Sequence, residues 1–225
     1  MSFVSFADIS ESRRSVRGVA TLDNQLFVVS LRSSTVCVVD LTSFSQQHIE
    51  LKGLLRNPRD IATCDVTRRV YIADSYYRKH CVWSIDWPRP AAAAAVGDSQ
   101  TMTSSPAANK FIDCEGYEPW TLSVATGSDG RRQLLVTSYD ARNNSLYVYD
   151  VEGKLLRRVQ LQLPSTGNFK IYHAVQWTAA ADNTTTYVVC SCEEGRQNAE
   201  VCRLICLFVV DVELMYSSST VDGLH

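Results

Sequence analysis

The chain of 225 residues carries 45% hydrophobic and 20% charged side chains, near the average for folded domains and far from a disordered composition. A formal charge of −2 at pH 7 excludes the strongly basic footprint of a general polyanion binder. The longest apolar run, LICLFVV from Leu204 to Val210, suits a buried strand and falls far short of the ~20 residues a bilayer-crossing helix needs.

Residues 1–15 contain SFVSFA, which reads either as a strand added to a sheet built by another part of the chain or as a loose terminus. The stretch lacks the basic start and apolar core of a secretory signal. From Arg17 to Asp40 the sequence runs RGVATLDNQLFVVS, a short loop, then TVCVVD. This is a strand, a turn rich in Asp and Asn, a second strand, a loop, and a third strand closed by Asp. The order returns from Asn57 to Asp86 in NPRDIATCDVTRRVYIADSYYRKHCVWSID. It returns again from Glu118 to Asp150, and once more, with a longer loop, from Tyr172 to Asp211. Short runs of Val, Ile, Tyr and Phe between turn residues are strand and hairpin signals. Strands are expected at residues 19–22, 25–30, 35–39, 60–64, 69–73, 81–85, 121–125, 133–138, 145–149, 155–162, 173–178, 185–191 and 201–210. The last residues of each copy, Asp40, Asp86, Asp150 and Asp211, are expected to form turns by accepting backbone amide bonds.

A unit repeated four times at uneven intervals fits radial blades with loop insertions better than a tight solenoid. After Asp150, VEGKLLRRVQLQL supplies a glycine turn and an alternating fourth strand. The chain is therefore expected to be all-β, a β-propeller of four recognisable antiparallel blade units within a single domain spanning residues 1–225. A low-complexity insertion, WPRPAAAAAVGDSQTMTSSPAANK, is placed at about residues 87–110, followed by FIDC (Phe111–Cys114) as a displaced outer strand of the second blade.

Pro58, Asp60, Ile61 and Ala62, a turn, and Val70-Tyr71-Ile72-Ala73-Asp74-Ser75 resemble the repeat of six-bladed propellers of the NHL and YWTD kind. The resemblance covers roughly residues 16–211 and is closest in the second and third copies. It implies a blade topology and, since four copies are fewer than six, a portion of a larger propeller; an incomplete ring would also allow self-association.

Eight cysteines are scattered along the chain, most of them inside expected strands. No Cys-x-x-Cys pair occurs, so small buried hydrophobes in a reducing, cytoplasmic setting are the expectation, with no bound metal or other cofactor. Cys190, Cys192, Cys202 and Cys206 are the one set of thiols that neighbouring strands could gather.

In a propeller, the loop entering the first strand of each blade and the loop between its second and third strands share one end of the ring. On those loops stand Arg17, Arg59, Asp60, Tyr76, Tyr77, Trp120, Tyr139 and His173, with Arg56, Arg78, Glu115 and Glu118 nearby. Tyr, Trp and Arg on loops held by a rigid frame are what protein-binding surfaces use. A non-enzymatic protein-interaction scaffold is the principal reading, with a protein partner and no membrane. The resemblance also implies two alternatives: an RNA-binding face, and a metal-dependent lactonase-type hydrolase, for which Glu118, Asn57 and Asp60 are the candidate ligands. No phosphate loop, nucleophile elbow or Cys–His pair is present.

Overall fold

The computed structural model describes residues 15–76, 79–89, 107–127, 129–138, 145–160, 169–178, 185–193 and 204–211. They form fifteen strands in four antiparallel sheets, with no helix among the described residues. The first sheet holds β1 (Val16–Leu22), β2 (Gln25–Ser30), β3 (Thr35–Asp40) and β4 (Gln46–Glu50). The second holds β5 (Pro58–Cys64), β6 (Arg69–Tyr76), β7 (Lys79–Asp86) and β8 (Ala108–Asp113). The third holds β9 (Pro119–Thr126), β10 (Arg132–Ser138), β11 (Ser145–Asp150) and β12 (Leu155–Gln160), and the fourth β13 (Phe169–Thr178), β14 (Thr185–Glu193) and β15 (Leu204–Asp211). Each sheet is a simple meander in chain order, and the first strands β1, β5, β9 and β13 lie side by side from one sheet to the next. This is the blade arrangement of a β-propeller, as the repeat implied.

Local chemistry explains the meanders. The two-residue turn Asp23-Asn24 joins β1 to β2 with Asp23 at φ 52, the left-handed conformation that Asp and Asn tolerate. Gly153, at φ 87, turns β11 into β12. The Asp rule holds in two blades. Asp40 Oδ1 accepts the amides of Thr42 (2.9 Å) and Ser43 (2.8 Å), and Asp150 Oδ1 accepts those of Glu152 (3.0 Å) and Lys154 (2.8 Å). Asp86 departs from it, because Arg69 Nε donates to its carboxylate at 2.9 Å instead.

Burial follows position in the blade. Middle strands are buried on both faces: β2 buries Phe27, Val28 and Val29 in succession and β10 buries Leu134, Leu135 and Val136. The outer strands β4, β8 and β12 each bury one residue. In β4 only Ile49 of Gln46–Glu50 is buried, and for that reason this strand was not among those expected from the sequence. Trp87 is also reassigned: it packs edge-on to Phe27 (4.8 Å, 86°) and donates through Nε1 to Gln25 Oε1 at 2.6 Å. It belongs to the core between the first two blades. Ala108–Lys110 belong to β8, whose residues to Asp113 include most of the expected displaced outer strand, while residues 90–106 of the insertion lie outside the described residues.

Two apolar layers join the first three blades. Leu22, Phe27, Val29, Val36 and Val38 meet Ile61, Val70, Ile72 and Ile85 between the first and second. Cys64, Tyr71, Ala73 and Val82 meet Leu122, Leu134, Val136 and Tyr149 between the second and third. Tyr117 stacks on Tyr147 at 3.9 Å, and its hydroxyl lies 2.7 Å from that of Tyr149. Cys37, Cys64, Cys81 and Cys114 are free and buried, and burial pushes the Cys81 and Cys114 thiols up to about 12, which leaves them unreactive. For the four later cysteines, the backbone register sets Cys206 opposite Ser191, Cys190 opposite Leu207 and Cys192 opposite Leu204, while Cys202 lies outside the described residues.

The first strands touch backbone to backbone. A Cβ built on Gly18 would stand 2.5 Å from Asp60 Oδ1 and 2.8 Å from the Ile61 nitrogen, so only glycine fits where β1 passes β5. Gly18→Ala is expected to cost about 1–3 kcal/mol, as overpacking a close contact does. Chemical denaturation of the two proteins measures it; an alanine variant of unchanged stability would contradict the close approach.

Candidate functional site

Every first strand breaks register near its start. Arg17 is the extra residue between Val16 and Gly18, Arg59 between Pro58 and Asp60, and Tyr172 between Ile171 and His173. In the third blade, Trp120 and Thr121 together oppose Thr137. A bulge adds one residue to one strand and re-aims side chains at that point. The same irregularity in four blades sets Arg17, Arg59, Trp120 and Tyr172 at corresponding places at one end of the first strands.

The loop before β5 is tied to the end of β6. The buried Asp74 accepts the amide of Asn57 at 2.6 Å and that of Arg56 at 3.3 Å. Burial pushes its carboxyl pKa up, and the amide bonds partly oppose that shift. Asn57 Nδ2 donates to the Ser75 carbonyl at 2.7 Å, and the Ser75 amide donates to the Asn57 carbonyl at 3.2 Å. This frame positions two guanidinium groups. Arg56, exposed, lies over the Tyr76 ring at 5.1 Å from its centroid. Arg59 lies over the Trp120 ring of the next blade at 4.5 Å.

Arg59 is also held from two further sides. Its Nε donates to Ser75 Oγ at 2.8 Å, and its Nη2 donates to Glu118 Oε1 at 3.0 Å. Ser75 Oγ in turn donates to the same Glu118 oxygen at 2.7 Å. The ion pair is largely covered, with side-chain exposures of 19% for Arg59 and 27% for Glu118. A cation flat on an indole is worth ~0.5–2 kcal/mol depending on its desolvation, so Trp120 is a substantial part of what fixes Arg59.

Asp60 has a different task from its neighbour. Its Oδ2 accepts the Leu122 amide of the third blade at 2.8 Å, while Oδ1 faces Gly18 of the first. Burial pushes its pKa up to about 6, against the lowering effect of the Leu122 and Ile61 amides. Asp60 thus joins three blades from within.

The eight residues singled out from the sequence therefore separate. Arg59, Trp120 and Tyr76 stand in the two Arg–aromatic pairs, Arg17 is exposed on its bulge, and Asp60 is turned inward. His173 lies in β13 opposite Cys190 along the backbone, and Tyr77 and Tyr139 fall outside the described residues. Each of the three candidate metal ligands has another partner: Glu118 is ion-paired with Arg59, Asp60 accepts the Leu122 amide and Asn57 donates to the Ser75 carbonyl. Among the described residues no group of three or more His, Cys, Asp or Glu is arranged to hold a metal. Ser75 and Asp74, which position the arginines, were legible only as part of the strand motif.

No family model matches the chain, and no curated protein does. Solved structures do. A chain of a nidogen/laminin complex matches with a TM-score of 0.51 at 14% identity, over 79% of this chain and 58% of that one. A chain of the Kuenenia stuttgartiensis hydrazine synthase matches with a TM-score of 0.49 at 17% identity, over 80% and 51%. The β-propeller domain of Myceliophteria thermophila Cps50 (Swd1) matches with a TM-score of 0.48 at 8% identity, over 87% and 56%. At such identities likeness speaks for the fold alone. The protein described here spans little more than half the length of these three chains.

The folded-state pKa of Asp60, about 6, lies above its ordinary value of 3.8, so the fold disfavours the ionised form. Its contribution to stability is present at low pH and is lost as pH rises from about 4 through 6. The parent should therefore gain stability relative to Asp60→Asn, whose side chain cannot ionise, as pH is lowered across that window. Denaturation of both proteins at several pH values checks this; a pH-independent difference would place the Asp60 pKa at an ordinary value.

Proposed function

We propose that the chain is a non-enzymatic interaction scaffold, and that the end of the blades bearing Arg17, Arg56, Arg59, Tyr76 and Trp120 binds a protein partner. The observation that carries this reading is the Arg59–Trp120 pair. A guanidinium is oriented across a blade boundary by an indole, a serine and a carboxylate, and remains partly open to solvent. Arg and Trp held rigidly lose little freedom on binding, which is why such residues dominate protein interfaces. Arg56 over Tyr76 provides a second pair of the same type.

The other two readings have less support. For hydrolysis through a divalent ion, Glu118 would have to act as a ligand beside the guanidinium that already pairs with it, an arrangement that repels a cation. RNA binding draws on the arginines and aromatics, but Glu118 offsets the charge of Arg59 and the whole chain is weakly negative. A structure with a similar fold, that of nidogen with laminin, is a complex between proteins, and we carry over no more than that class of partner.

Replacing Tyr76 and Trp120 together by Ala should abolish photo-crosslinking to protein partners from a cross-linker that replaces the exposed Leu54, two residues before Arg56, with the thermal unfolding transition retained. Undiminished crosslinking by a folded double variant would contradict the proposal. Crosslinking to nucleic acid in its place, steeply sensitive to salt, would favour the RNA reading.

A further inference from the structure

The Arg59 network is closed on one side and open on the other. Ser75 takes Nε and Glu118 takes Nη2, while Nη1 has no acceptor among the described residues. Glu118 binds through a single oxygen, Oε1, which also receives the Ser75 hydroxyl. A carboxylate engaging a guanidinium most favourably does so with two parallel bonds. The resident carboxylate therefore leaves half of the Arg59 fork unused. Trp120 and Ser75 hold the guanidinium in place without Glu118, so the fork stays oriented if that side chain swings away.

The surroundings favour a second carboxylate. Arg17 and Arg32 are exposed and make no ion pair among the described residues, and Arg56 is engaged there through its ring contact with Tyr76. They stand at the same end of neighbouring blades, Arg17 on the β1 bulge, Arg32 after β2, and Arg56 before β5. Among the described residues, Glu118 and the exposed Glu115 are the acidic groups on these loops that stand against these three arginines and Arg59, while Arg56 also helps to lower the pKa of the buried Asp74. Asp74 is buried and committed to backbone amides, so it offers nothing at the surface.

We infer that this face takes an acidic segment of a partner protein, whose carboxylate engages the Arg59 fork over Trp120 in place of Glu118. The inference rests on the interaction-face reading and adds to it the chemistry of the partner and a role for Glu118. In the free protein Glu118 is a stand-in ligand. It neutralises a largely covered guanidinium and gives way to a carboxylate that binds through both oxygens, with Arg56 beside it as a second charge. Aromatic or aliphatic side chains of the segment find Trp120 and Tyr76 alongside.

The test uses the full chain and a short fluorescein-labelled peptide of alternating Glu and Leu, with its Gln/Leu counterpart and an oligouridylate as controls, read by fluorescence anisotropy. The parent should bind the Glu peptide, and the Gln peptide weakly or not at all. Glu118→Gln, which keeps a hydrogen-bond acceptor but removes the competing charge, should bind the Glu peptide roughly tenfold more tightly, the effect of one close charged pair. Arg59→Lys, which keeps the charge but loses the fork and the flat stack, should bind roughly tenfold more weakly. Unchanged or weaker binding by a folded Glu118→Gln variant would overturn the inference, as would failure of both parent and variant to bind the Glu peptide. Tighter binding of the oligouridylate than of the Glu peptide would overturn it in favour of a nucleic-acid ligand. If the Tyr76 and Trp120 dependence of protein crosslinking survives any of these results, the face stands and only the acidic partner falls. If that dependence is lost as well, both readings fall.

Discussion

Neighbouring first strands approach so closely that one position admits no side chain. Gly18 lies against Asp60, and Asp60 reaches on to the Leu122 amide of the third blade. Sheets packed through side chains lie about 10 Å apart, whereas strands converging towards a propeller axis must come nearer. The contact therefore has to be made by glycine, by backbone, and by a carboxylate short enough to bridge them. Further ties repeat the device. Thr63 Oγ1 donates to the Thr21 carbonyl at 2.7 Å, and Ser123 Oγ donates to the Ala174 carbonyl of the fourth blade. The apolar layers farther out supply most of the burial energy, but these inner contacts set the level at which one blade meets the next.

That shared level gives the bulges their consequence. Because the first strands are held at one height, the extra residue in each emerges at the same end of the molecule. Arg59 from the second blade then meets Trp120 and Glu118 from the third. None of these three would be ordered alone: an exposed Arg–Glu pair is worth at most about 1 kcal/mol, and a free arginine retains its rotamers. Together with Ser75 they make a charged group that is largely covered, correctly oriented and still addressable from solvent. The inward turn of Asp60, one residue along, is the structural half of the same bulge.

Much of the blade pattern was legible in the sequence because it is local. Turn residues such as Asp23-Asn24 and Gly153 punctuate apolar runs, and a middle strand such as Leu134-Leu135-Val136 is apolar throughout since both its faces are buried. β4 escaped for the same local reason, as Ile49 is its single inward side chain. Trp87 looked like the start of a Pro-Ala insertion, although its indole completes the core against Phe27 and Gln25, and nothing adjacent in sequence reveals that contact. The site was legible as a set of residue types on a set of loops, and no further. The partner of Asp60 lies 62 residues away and that of Arg59 lies 59 away. Bulges are a property of two strands in register and leave no mark in either one read singly. Asp86, which resembled Asp40 and Asp150, was diverted by Arg69 across the hairpin.

The most direct measurement is the hydrogen exchange of the Leu122 amide. It is the donor to Asp60, and through it the third blade is fixed to the second. This amide is expected to exchange only on global unfolding, as slowly as the core amides of β6. Asp60→Ala should speed its exchange by orders of magnitude while leaving β6 protected. Fast exchange of Leu122 in the parent, or an identical rate in the variant, would contradict the claim that this carboxylate sets how the blades meet.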